Sequence, residues 1–251
     1  MNKSEAILKA NNLSKRFGGL AAVDNISFQV VPFGVTSIIG PNGAGKSTLF
    51  NLLSGTFRPD SGSVLLNDQN VTRMNSVERL FSGMARSFQI TNLFFDLTVI
   101  DNLRLASQTL HPRSYLYLPL SKCELALARA DELLVEFGLL DSRNQLAGAL
   151  SHGQQRRLEI AVTLATRPKL LLLDEPTQGM SQGDTQETAE LIKQLGSKIT
   201  VLLIEHDVDL VMDLSKTVIV MAQGKKLAEG SPQEVRSNLL VQAAYFGEET
   251  A

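Results

Sequence analysis

Cysteine is almost missing from this chain: Cys123 is the only one in 251 residues. A single thiol excludes an internal disulfide and any cysteine-rich metal site, and it suits a reducing compartment. Long apolar runs are missing as well. No stretch approaches the ~18 residues needed to span a bilayer. The opening MNKSEAILKANN lacks the apolar centre of a secretion signal. A cytoplasmic location is therefore expected. Neither sign of charge dominates: 24 Lys and Arg stand against 26 Asp and Glu, a net charge of −2. There is no basic tail or Lys/Arg-rich run, which argues against a nucleic-acid partner, since such partners call for a positive patch. No internal repeat and no sustained heptad pattern occur. What remains is ordinary in bulk, 43% hydrophobic and 20% charged, and long enough for one large core or two modest ones.

Against this plain background four short segments stand out. Gly40–Thr48 reads GPNGAGKST and fills G-x-x-x-x-G-K-[ST]. The apolar, β-branched VTSIIG before it reads as a buried strand, and STLFNLLSG after it as a helix that Gly55 can stop. Strand, glycine loop and helix in that order are what the motif requires. Glycines let successive N–H groups surround an anion, and the helix adds the positive end of its dipole. Asn42, Gly43, Ala44, Gly45, Lys46, Ser47 and Thr48 are thus candidate phosphate-binding residues. Lys46 would reach the β- and γ-phosphates, and the Ser47 hydroxyl would ligate Mg²⁺.

Leu170–Pro176 reads LLLLDEP. Four leucines in a row suit a parallel strand buried on both faces, and such strands present their ligand sites at their carboxyl ends. Asp174 would hold the metal's water shell, and Glu175 would polarise the attacking water. A strand that merely ends in solvated acids is the plainer reading. His206 follows another apolar strand, TVLLIE; a lone histidine there is more often structural. Leu150–Gln155 reads LSHGQQ and opens a helix, with Leu158, Ala161, Val162 and Ala165 on one face. Ser151 is a fair N-cap, and the helix start also favours an anion.

These segments, in this order, resemble the nucleotide-binding subunit of an ATP-binding cassette (ABC) transporter. The resemblance covers essentially the whole chain. It implies a P-loop NTPase α/β fold, a RecA-like core with an antiparallel β part (about 7–85 and 151–230). A helical subdomain (about 86–149) and a C-terminal helical tail (231–251) complete one domain over 7–247. It implies ATP and Mg²⁺ as cofactors and hydrolysis of ATP. It makes His206 the switch histidine on the γ-phosphate and Gln89, in ARSFQ, the Q-loop residue near metal and water. Phe17, in KRFGG, would stack on adenine, with Val23 on the ribose side; a simple core aromatic is the alternative for Phe17. Ser151, His152, Gly153 and Gln154 would close over ATP bound to a second ATPase subunit, in a homodimer or heterodimer. Integral-membrane permease subunits and, indirectly, a periplasmic binding protein would complete the assembly on the cytoplasmic face of the cell membrane.

Two residues depart from the family pattern. His152 replaces the first glycine of LSGGQ, a mark shared with branched-chain amino acid transporter subunits. Gln178-Gly179-Met180-Ser181 puts serine where an aspartate is usual, which implies looser coupling between the two ATP sites. FGGLAAVDNISF, ARSFQITNLFFDLTVIDNL, LSHGQQRRLEIA and AYFGEE resemble the branched-chain or neutral amino acid importers. Urea or amide importers, the lipopolysaccharide-export ATPase and soluble cluster-assembly motors are the alternatives. The 107–122 loop, with Tyr115 and Tyr117, reads either as a contact surface or as a hairpin packed on its own subdomain.

Overall fold

The computed structural model describes residues 6–87, 93–108 and 124–246. In chain order the strands are β1 (Leu8–Phe17), β2 (Leu20–Val30), β3 (Gly34–Ile39), β4 (Ser61–Leu66), β5 (Gln69–Asn70), β6 (Met84–Arg86), β7 (Leu170–Asp174), β8 (Thr200–Ile204), β9 (Thr217–Ala222) and β10 (Lys225–Gly230). The helices are α1 (Lys46–Ser54), α2 (Ser76–Phe81), α3 (Val99–Gln108), α4 (Glu124–Glu136), α5 (His152–Leu164), α6 (Gln182–Lys198), α7 (Val208–Leu214), α8 (Pro232–Arg236) and α9 (Leu239–Phe246). No helix among the described residues is long and apolar enough to cross a membrane. The chain is α/β and forms two compact units.

The first unit comprises Met1–Arg86, Lys169–Glu175 and Ile192–Ala251. It holds an antiparallel sheet in the order β2-β1-β4-β5 and a mixed sheet in the order β10-β9-β3-β8-β7-β6. Every residue of β7 and β8 is buried, as their unbroken apolar runs demand for central parallel strands. Register lines up the carboxyl ends: Ile38 pairs with Ile204, and Asp174 with Ile204 across the next ladder. Three chain segments therefore leave the sheet side by side, from Ile39, Asp174 and Ile204. Leu8, Ile26 and Phe28 from the antiparallel sheet share one core with Ile38, Leu49, Leu53, Leu172 and Leu202.

The second unit comprises Ser87–Pro168 and Pro176–Leu191. It is larger than the expected insert at 86–149. The signature helix α5 and the first part of α6 belong with it, and not with the core. The reason is packing. Leu103 of α3, Ala130 and Leu133 of α4, and Leu158 and Ala161 of α5 are all wholly buried. The Arg156 Nε of α5 also donates to the Pro176 carbonyl at 2.9 Å. Helix α3 runs two residues past Ala106, and α4 is followed by a left-handed turn at Gly138 (φ 62°). Cys123, Gln89, Tyr115, Tyr117 and most of the 107–122 loop lie outside the described residues.

Candidate active site

A cleft of about 620 Å³ opens at the carboxyl ends of the central strands of the first unit, within the usual range for ligand sites. Its floor is the loop from Asn42 to Thr48; Glu175 and His206 stand on it, and Phe17, Leu20, Ala21 and Ala22 wall it, with Gln223 and Gly224. The loop is shaped for an anion. Gly40, Gly43 and Gly45 have φ of 154°, 77° and 97°. Gly45 is the N-cap of α1 and no side chain caps that helix, nor does its first turn carry an acid. The orphan N–H groups of the first turn are thus left for a ligand. Lys46 is buried, and its Nζ donates to the carbonyls of Gly40 (2.6 Å) and Pro41 (3.1 Å). Burial pulls its pKa below the ordinary lysine value, with the Glu175 carboxylate opposing that shift.

Glu175 sits one residue past β7 with φ of 47°, a left-handed conformation that side chains other than glycine's resist. Its own N–H donates to the Ile204 carbonyl at 2.9 Å. Its Oε1 lies 2.5 Å from Nε2 of His206. The histidine is half-exposed and the glutamate buried. An acid in a strained backbone, aimed by a histidine from the neighbouring strand, is the arrangement that a water-activating base needs. Asp174 is buried behind it and receives Nη2 of Arg86 at 2.7 Å on its Oδ2.

Among the described residues no group of three His, Cys, Asp or Glu side chains could hold a metal. Ser47, on the cleft, and Asp174, at the strand end, supply oxygen donors only. That set fits Mg²⁺, which keeps most of its shell as water and phosphate oxygen and rarely takes an all-protein cage.

Phe17 is 45% exposed and so is not a core aromatic. Its ring meets Phe57 edge-on at 5.7 Å, and Nζ of Lys15 lies 5.8 Å from its centroid. Val23 needs correction: it is wholly buried in the core and does not line the cleft. The ladder between β1 and β2 is irregular here, Lys15 pairing with Val23 and the next residue, Arg16, with Ala21, so Val23 turns inward while Ala21 and Ala22 both line the wall. Ala44 is also buried. Phe57, Gln223, Gly224 and Arg86 are additions that no motif marks.

The signature segment lies in the second unit. Ser151 caps α5: its Oγ accepts from the Gln154 N–H (3.3 Å), and Gln154 Oε1 accepts from the Ser151 N–H (3.0 Å). This reciprocal box uses the side chains of Ser151 and Gln154 within the chain, and His152 is exposed. A Cβ on Gly153 would lie 2.5 Å from Oδ1 of Asp184, so any other residue there would displace the Asp184 carboxylate. Ser181 has a structural task too. Its Oγ accepts from the Asp184 N–H at 3.3 Å and donates to Asp184 Oδ2 at 2.7 Å, capping α6.

A family model described as ABC transporter matches residues 23–178. The chain belongs to the ABC transporter family. A second model, described as branched-chain amino acid ATP-binding cassette transporter, matches residues 225–251. The high-affinity branched-chain amino acid transport ATP-binding protein LivG of Escherichia coli K12 is 42% identical over 98% of this chain and 99% of that protein. The lipopolysaccharide export system ATP-binding protein LptB of Acidithiobacillus ferridurans is 33% identical over 97% of this chain and 98% of that one. A crystal structure of an ABC transporter cassette in its ADP conformation superposes with a TM-score of 0.86 at 33% identity, over 97% of this chain and 99% of that one. The cassette is accordingly an ATPase that uses ATP and Mg²⁺. Subunits of this kind dimerise and work with membrane permeases.

Proposed function

We propose that this chain is the ATP-hydrolysing subunit of an importer for branched-chain or other neutral amino acids, working on the cytoplasmic face of the cell membrane. The match of residues 225–251 to the branched-chain cassette model carries this reading. That segment lies outside the nucleotide motifs, so it is not explained by ATP hydrolysis alone. The higher identity to LivG than to LptB agrees with it.

Within that role Phe17 stacks on the adenine, and the N–H groups from Asn42 to Thr48 hold the phosphates. Lys46 leaves the Gly40 and Pro41 carbonyls for the phosphate oxygens, ligands with formal charge. Ser47 and, through water, Asp174 would hold Mg²⁺, which when bound would neutralise phosphate charge. Glu175 orients and deprotonates the attacking water, and His206 keeps the Glu175 carboxylate aimed while facing the γ-phosphate. Gln89 serves metal and water. Ser151, His152, Gly153 and Gln154 close on the nucleotide of a second subunit, so that ATP joins the pair. A binding protein outside the membrane delivers the cargo to the permeases.

The test is reconstitution with candidate permease subunits and a candidate amino acid binding protein from the same organism. ATP-driven uptake of leucine, isoleucine or valine into proteoliposomes is expected. Uptake of urea or extraction of lipopolysaccharide, with no amino acid transport, would overturn the cargo assignment. Separately, the Glu175→Gln chain with ATP should elute as a dimer, and adding Ser151→Arg should return it to monomer. A Glu175→Gln chain that hydrolyses ATP at the parent rate sinks the base assignment.

A further inference from the structure

Asp174 has no exposed side-chain surface, and its carboxylate is held by Arg86, to which none of the motifs gives a role. Arg86 ends β6, which pairs in parallel with β7 and places Arg86 opposite Leu172. Its Nη2 donates to Asp174 Oδ2 at 2.7 Å. Its Nη1 donates to Asn51 Oδ1 at 2.7 Å and to Ser54 Oγ at 2.9 Å. Both acceptors lie on α1, the helix that begins with Lys46 and Ser47. The guanidinium carbon lies 5.5 Å from the Phe50 ring centroid, and the side chain is 13% exposed. A planar fork held by two acceptors and a ring has one orientation. A carboxylate turns easily about its last torsion, so a bond from that fork to one oxygen sets the direction of the whole group.

We propose that Arg86 is a positioning residue for the metal-facing carboxylate: it registers Asp174 against α1, so that the aspartate and Ser47 present their oxygens to one cation together. This rests on the reading that Asp174 faces Mg²⁺. A merely structural Arg86 would brace α1 against the sheet, and its loss would lower stability without altering the metal requirement. An Arg86 that competes with the cation for Asp174 would tighten metal binding on removal.

The experiment separates the three. Mn²⁺ is titrated by electron paramagnetic resonance into the full chain carrying Glu175→Gln and saturated with ATP. Arg86→Met keeps an unbranched side chain but removes the fork, and it should weaken Mn²⁺ binding about 10–100-fold, the usual effect of losing an outer-shell partner. ATP affinity in EDTA should stay within about twofold, because the phosphate loop is untouched. Arg86→Lys, with charge but no fork, should recover only part of the loss. Asp174→Asn is the control. If it leaves Mn²⁺ affinity unchanged, the metal-facing reading falls and the Arg86 proposal with it. If it weakens Mn²⁺ while Arg86→Met leaves binding unchanged or tighter, the Arg86 proposal alone is overturned. Should Arg86→Met fail to fold, the Asn51→Ala/Ser54→Ala double variant decides. It keeps the Arg86–Asp174 pair but frees the fork, and it should weaken Mn²⁺ several-fold; unchanged binding would refute the proposal.

Discussion

The backbone at Glu175 gives a prediction whose sign is unusual. At an ordinary position, replacing alanine by glycine costs about 0.5–1 kcal/mol, because glycine loses more freedom on folding. Glu175 has φ of 47°, where any Cβ costs roughly 1–2 kcal/mol. Glu175→Ala and Glu175→Gly both delete the carboxylate and its bond to His206, and they differ only in that Cβ. Subtracting the entropy cost from the strain relieved leaves Glu175→Gly more stable than Glu175→Ala by about 0–1.5 kcal/mol, the middle of that range being about 0.5–1 kcal/mol. For a chain of this length that is roughly 1–4 °C in melting temperature. Gln186, exposed in α6, is the reference site, where Gln186→Gly should melt below Gln186→Ala by a similar margin. Both Glu175 variants should lose about 10²–10⁴-fold in ATPase rate. Differential scanning calorimetry of the four purified chains, with ATPase assays beside it, measures all of this. If Glu175→Gly melts below Glu175→Ala, the left-handed backbone at Glu175 stores no strain.

The glycines of the phosphate loop should separate in the same way. A Cβ on Gly45 would lie 2.1 Å from the Ala22 carbonyl oxygen, whereas one on Gly43 meets nothing within 4 Å, so Gly45→Ala should abolish ATP binding and Gly43→Ala should weaken it only modestly in a fluorescent-nucleotide titration. Phe17→Ala should raise the Kd for ATP about fivefold, stacking being worth on the order of 1 kcal/mol; unchanged affinity for ATP and GTP alike would remove Phe17 from base recognition. Ser181→Ala should cost about 1 kcal/mol through the lost cap, seen as a lower urea midpoint, while Ser181→Asn keeps the cap and the midpoint. Lys46 has a lowered pKa in the fold because of burial, so between that value and its unfolded value of about 10.4 the unfolded chain binds more protons and stability rises with pH. The stability advantage of Lys46→Met over the parent should therefore shrink from about pH 7 to pH 10 in urea titrations, and an advantage that grows with pH would contradict the burial argument.

The parts of the site carried by contiguous residues are legible in the sequence. The phosphate loop, the run Leu170–Asp174 and the strand ahead of His206 each encode their own conformation through local pattern. Register then does the rest, because parallel strands of matched apolar length end together. The remainder depends on non-local pairing. Nothing in ARSFQ says that Arg86 will face Asp174; that follows only once β6 lies beside β7. Gln223 and Gly224 reach the cleft because Gly224 N–H donates to the Ala44 carbonyl at 3.0 Å, a contact between distant turns. The expectation for Val23 fails because the ladder between β1 and β2 shifts register beside it, a feature that strand periodicity does not reveal. The unit boundary falls elsewhere than expected because α5 follows the insert in sequence but packs with its helices. Ser181 signals a departure from the family pattern, yet only the fold shows its local task at the start of α6.

The position of β3 in the sheet bears on how the protein is made. This strand, which leads into the phosphate loop, pairs among the described residues only with β8 and β9, whose residues start at Thr200. During synthesis the Gly40–Thr48 segment thus leaves the ribosome long before either neighbour exists. At about 5–20 residues/s the wait is roughly 8–30 s, during which the loop has no sheet to grow from. A truncated chain ending ahead of β8 carries every residue of the phosphate motif yet should show no ATP binding in a fluorescent-nucleotide titration. Capture of ATP then reports that translation has passed β9, and it rewards that progress by stabilising only the assembled sheet.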